Sequence, residues 1–94
     1  MGDFKKLIAY QKAYLLAKDI HWETNNFSKE ERYSLIDQIR RSSRSVCMNL
    51  AEAYRRRKYK AHFLSKLADT EAENAETNVW LDFALDLLYL SKEK

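Results

Sequence analysis

The chain has no proline and only one glycine, Gly2, among its 94 residues. Tight hairpin turns and glycine-rich phosphate loops depend on those two residue types, so repeated β-hairpins and a phosphate-cradling loop are excluded. An all-helical fold is the expectation. Cysteine occurs once, at Cys47, which rules out an intrachain disulfide framework and the cysteine-rich zinc sites of a single chain. Cys47 sits in an apolar-periodic run and reads as a buried structural thiol in a reducing compartment. No apolar run approaches the roughly 20 residues of a membrane span, and no charged leader precedes an apolar segment. A cytoplasmic location, away from membranes, is the expectation.

Net charge is small, at +3, but the charges are unevenly distributed. Between residues 38 and 60, Arg40, Arg41, Arg44, Arg55, Arg56, Arg57, Lys58 and Lys60 face a single acid, Glu52. Residues 69–86 carry Asp69, Glu71, Glu73, Glu76, Asp82 and Asp86 and no base. A basic surface of this kind suits a polyanion, whereas the acidic stretch offers it a partner within another helix or subunit.

Hydrophobic periodicity divides the chain into three helices, at about residues 4–24, 29–57 and 59–91, in one helical-bundle domain spanning 1–94. In the first, Leu7, Tyr10, Tyr14, Ala17, His21 and Thr24 recur at three- and four-residue spacing. Asn25, Asn26 and Phe27 interrupt it. Ser28 and Glu31 then form an S-x-x-E capping box that opens the second helix, where Ile36, Ile39, Ser43, Val46, Leu50 and Tyr54 repeat the pattern. Ser42, Ser43 and Ser45 give this helix a narrow waist for close approach. The third helix thins to alanines among acids, then becomes apolar on several sides from Val79 to Leu90. Such a helix needs more than one neighbour. With Trp80, Phe83 and Leu87 as core or interface, the chain is expected to be an oligomer.

Chemistry is not indicated. Ser42, Ser43 and Ser45 have no histidine nearby in sequence, the two histidines, His21 and His62, are isolated, and Lys18 and Tyr59 stand where a di-iron bundle would place glutamates three residues before them. The expectation is a protein without enzymatic activity, metal or cofactor.

The motifs S-x-E-E-R-Y-x-L-x-x-Q-I-R-R-S-x-x-S-V-x-x-N-L-A-E-A-x-x-R and A-E-x-x-E-T-x-V-W-L-D-F-A-L-D-x-x-Y-L, after an early F-x-x-L, cover nearly the whole chain. With Gln38, Ile39, Arg40, Arg41, Ser42, Ser45, Val46, Asn49, Leu50, Ala51, Glu52 and Arg56 as its centre, the chain resembles the four-helix-bundle proteins encoded in bacterial 23S rRNA intervening sequences. The resemblance implies an up-and-down helical bundle that assembles into a ring, commonly a pentamer, without established enzymatic activity. It also implies kinship with the accessory variability protein of diversity-generating retroelements, a similar bundle whose basic surface binds nucleic acid. Two departures stand out. Ala53 holds a position where the family usually has glycine, and the family's usual last helix, after the equivalents of Tyr89 and Leu90, is expected to be absent here or replaced by another subunit.

Two readings of function follow. In the first, Arg40, Arg44, Arg55, Arg56, Arg57, Lys58 and Lys60 bind RNA or DNA phosphates with low sequence selectivity. Arg41, Asn49, Glu52, Glu76 and Thr77 form a structural polar network, with Asn49 and Glu52 paired to Arg41 or Arg56, and Glu76 and Thr77 to Arg41 or Arg44. In the second, the chain is a protein-interaction scaffold whose charges serve self-assembly or an acidic partner.

Overall fold

A computed structural model describes residues 3–90. Every regular element among them is helical: α1 (Ile8–Thr24), α2 (Leu35–Arg55) and α3 (Lys60–Asp86), with short 3₁₀ turns at Phe4–Lys6 and Lys29–Glu31. The central helix α2 packs against both α1 and α3, which do not touch one another. The result is a layer of three helices rather than a closed bundle. It measures 44 × 21 × 21 Å, close to the roughly 40 Å that the 27 residues of α3 span at about 1.5 Å each.

Apolar burial follows the α2 periodicity. Leu35, Ile36, Ile39, Val46, Cys47 and Ala53 are buried along it, Ile39 completely. Ala17, Ile20 and Thr24 face it from α1, and Thr77 and Ala84 from α3. The serine waist lies at these crossings: Ser42 and Ser43 are buried. The Thr77 hydroxyl is 2.8 Å from that of Ser42 and 2.9 Å from the Glu73 carbonyl. Small polar side chains let the helices close up, and pairing the hydroxyls removes the few kcal/mol that an unpaired buried group costs. No buried side-chain polar atom among the described residues lacks a hydrogen bond.

The helix boundaries differ from the periodic pattern at four places, each for a local reason. Helix α1 begins at Ile8 instead of residue 4, because Leu7 is extended between it and a 3₁₀ turn capped by the Asp3 carboxylate, which accepts from the Lys5 amide at 2.9 Å. The second helix begins at Leu35, not residue 29. Ser28 does accept from the Glu30 amide, but the Glu31 carboxylate does not complete the capping box. It accepts instead from the Ser34 hydroxyl at 2.6 Å and the Tyr89 hydroxyl at 3.0 Å. Helix α2 stops at Arg55, where residues 56–59 form a turn closed by the Tyr59 amide donating to the Arg56 carbonyl at 2.8 Å. The basic stretch is therefore two helices and a turn, not one helix.

The fourth difference is the end of α3, at Asp86 rather than near 91; residue 91 itself lies outside the described residues. Leu88 adopts a left-handed φ of 64°, the Leu88 amide donates to Leu85 O and the Tyr89 amide to Ala84 O. This pairing is a Schellman ending, a position usually held by glycine because a side chain costs about 1–2 kcal/mol there. The ending turns Tyr89 back onto Phe27, with ring centroids 5.2 Å apart. Phe27, Leu35, Ile36 and Ala84 form a small core beneath Trp80, Tyr89 and Leu90. Aromatic stacking worth about 0.5–1.5 kcal/mol beyond its burial offsets much of the Leu88 strain.

Candidate nucleic-acid interface

The antiparallel register of α1 on α2 decides which cations are free. Arg40 reaches back to the end of α1, where its Nε donates to Thr24 Oγ1 at 2.8 Å and its terminal nitrogen to the His21 carbonyl at 3.2 Å and Asn25 Oδ1 at 3.0 Å. It adds a cation and a second donor at a helix C-terminus, where the His21 carbonyl also accepts from the Thr24 hydroxyl at 3.0 Å. Arg44, one turn on, donates to His21 Nδ1 at 3.1 Å. Both arginines belong to the phosphate contacts expected from the sequence; the fold gives Arg40 three acceptors at the end of α1, while Arg44 touches His21 and stays exposed.

Arg41, one residue from Arg40, points to the opposite neighbour. It pairs with Glu73 at 3.3 Å and more closely with Glu76, and its Nε donates to Gln38 Oε1. Trp80 Nε1 also donates to Glu76 at 3.1 Å. That hydrogen bond and the Arg41 guanidinium hold the Glu76 carboxyl below its ordinary range, and Glu76 in turn holds Arg41 above its own. Ser45 donates to Glu73 and Asn49 to Ser45, which extends the network along the α2–α3 seam. The expected network thus contains Arg41, Asn49 and Glu76, while Thr77 touches it through the Glu73 carbonyl. Glu52 stands apart from it. It is exposed and pairs with Lys66 at 3.0 Å rather than with Arg41 or Arg56.

The remaining cations of residues 38–60 cluster at one end of the rod. Arg55, Arg56, Lys58 and Lys60 are exposed and have no ion-pair partner among the described residues. Arg57 lies over the Tyr54 ring, 4.1 Å from its centroid, and donates to the Tyr54 carbonyl at 2.6 Å. That contact fixes the side chain while leaving its charge exposed. Because α1 runs antiparallel to α2, the turn at Phe4–Lys6 packs against α2, and the register puts it at this same end. Lys5 and Lys6, both exposed, therefore join residues 55–60. Sequence reasoning missed these two lysines, because only the helix register relates positions 50 residues apart.

A 23S rRNA-intervening sequence protein family model matches residues 5–94. The chain belongs to that family. Searches of curated proteins and of solved structures returned no match. In this intervening-sequence chain the matched span contains all three helices and the whole basic end.

Cys47 is buried, burial pushes its thiol above the ordinary range, and its Sγ lies 3.7 Å from the Ser43 carbonyl. That environment disfavours the thiolate a nucleophile needs. Among the described residues no group of three His, Cys, Asp or Glu side chains converges as a metal site would, and no helix is long and apolar enough to cross a membrane.

The third helix presents a second surface. Leu64, Ala68, Ala72, Ala75, Val79, Phe83 and Leu87 step by three or four along its full length, and every one is exposed. Phe83 and Leu87 also line a groove with Glu31, Leu35 and the half-buried Trp80.

Proposed function

We propose that this chain is a non-enzymatic, homo-oligomeric protein that binds nucleic acid through phosphate contacts at its basic end. The observation that carries this reading is the division of charge: Arg40, Arg41 and Arg44 each hold a partner on a neighbouring helix, whereas Lys5, Lys6, Arg55, Arg56, Arg57, Lys58 and Lys60 are gathered at one end. The α3 N-terminus opens into the same cluster without a side-chain cap, adding backbone donors and the positive end of a helix dipole. The resemblance, through the kinship it implies with the accessory variability protein of diversity-generating retroelements, points the same way. Contacts of this type read charge rather than base identity, so selectivity for sequence is low.

Assembly multiplies the patch. A second copy covering the α3 stripe removes seven exposed apolar side chains from water, and the alanines at its centre permit helix axes to approach to about 8 Å. The family resemblance favours a ring, commonly of five.

Salt dependence tests the reading. With about five phosphates contacted, the logarithmic salt slope for a single strand is about −3.5, so affinity falls about 100-fold between about 50 and 200 mM salt. Fluorescence anisotropy of a labelled RNA measures it. No binding at low salt, or binding indifferent to salt, contradicts the proposal.

A second reading, assembly driven by charge, is favoured by Glu71, Asp82 and Asp86, which are exposed on α3 without ion-pair partners among the described residues. There the basic end docks on the acidic α3 of another copy, and loss of basic charge changes the mass of the assembly rather than RNA affinity.

A further inference from the structure

Between α1 and α2 lies an open groove of about 450 Å³ that the phosphate contacts do not use. Its walls are aromatic. Tyr10, Tyr14 and Trp22 line it from one face of α1, at steps of four and eight residues, or about 6 and 12 Å along the helix. Trp22 is 64% exposed and Tyr14 49%, a large apolar area for a soluble surface to leave bare. The floor is Ala17, Cys47 and the exposed Met48.

The rings are held in place by neighbours. Tyr14 stacks against Tyr10 with centroids 6.0 Å apart and planes 26° from parallel. Trp22 meets the His21 ring edge-on at 5.1 Å, and Arg44 anchors His21 from α2. Only cations stand on the rim. Lys18 sits between the two platforms, its ammonium 5.6 Å from the Tyr14 centroid, and Arg44 faces it from α2; among the described residues no acidic side chain lines the groove. A second depression shares Tyr10 and Tyr14 and continues to Lys5. The aromatic track therefore leads into the basic end.

We infer that this groove binds unpaired nucleobases, which stack on Tyr14 and Trp22 while Lys18 and Arg44 hold the intervening phosphates, and that it makes the chain selective for single strands. The inference rests on the phosphate-binding reading above and extends it. Alternating π-platforms and cations match the chemistry of a single strand, whose bases expose their faces. A duplex buries those faces and gains nothing from the groove.

The test compares a labelled oligouridylate with an RNA duplex of equal length, by anisotropy at low salt. Loss of one stacked base lowers affinity roughly 5- to 150-fold. The Tyr14→Ala, Trp22→Ala double variant is expected to lose at least about 25-fold on the single strand and to stay within about twofold on the duplex. Tyr14→Phe, Trp22→Phe keeps both rings and is expected to retain single-strand binding, which separates ring loss from misfolding. In a Trp80→Phe background, the oligouridylate is expected to quench Trp22 fluorescence. Equal losses on both polymers, an unchanged single-strand affinity, or a change in assembly mass showing that a second copy covers the groove each overturn the inference while leaving the phosphate reading intact. If wild type binds neither polymer, both fail.

Discussion

Replacing Arg55, Arg56 and Lys58 together by glutamate is expected to weaken RNA binding by at least about 1,000-fold at low salt. At about 50 mM salt each counterion released from a single strand is worth about eightfold, so three lost contacts account for about 500-fold and the repulsion of three new carboxylates supplies the rest. The fold should survive the change. All three side chains are exposed and make no ion pair among the described residues. The contrast is Arg40→Ala, which removes the donors at the end of α1 and belongs to stability. Anisotropy gives the affinity, thermal unfolding shows whether the fold is intact, and light scattering gives the mass. A loss below about tenfold with a changed mass favours charge-driven assembly instead.

Aspartate at both Val79 and Phe83 is expected to convert the assembly into an 11.2 kDa monomer. The two residues are four apart on α3, each about half exposed, at the richer end of the apolar stripe. Burying two carboxylates there costs far more than a helix seam of this size gains, whereas solvating them costs the isolated chain little. The opposite face of α3, with Thr77 and Ala84 buried, keeps its packing on α2. Loss of assembly also removes multivalency, so RNA affinity is expected to fall by about 100-fold or more although no cation has been touched. Light scattering decides the matter: a wild-type mass of 11.2 kDa, or a variant as large as wild type, contradicts it.

The all-helical class and the buried face of α2 were legible in the sequence because amphipathic spacing is a local property. Ile36, Ile39, Ser43 and Val46 recur at helical intervals, and all are buried. The α2 start was not legible, since the carboxylate that should complete the capping box is held by Tyr89, 58 residues away. Nor was the end of α3, where Leu88 takes a conformation usually given to glycine so that Tyr89 can reach Phe27. The site shows the same division. That Arg40 and Arg41 serve different neighbours follows from their 100° separation, but which neighbour each meets depends on helix register. Register also placed Glu52 against Lys66 outside the network and brought Lys5 and Lys6 beside residues 55–60.

The central claim, that the basic end is the phosphate-binding surface, is tested most directly by titrating a short RNA duplex into isotope-labelled protein at low salt and following the backbone amides by NMR. A duplex leaves the aromatic groove aside and reports on phosphate contacts alone. The account predicts that the largest shifts fall at Lys5, Lys6 and residues 55–60, and that they fade as salt is raised, with the exposed acids of α3 unaffected. Shifts centred elsewhere, or none at all, contradict it.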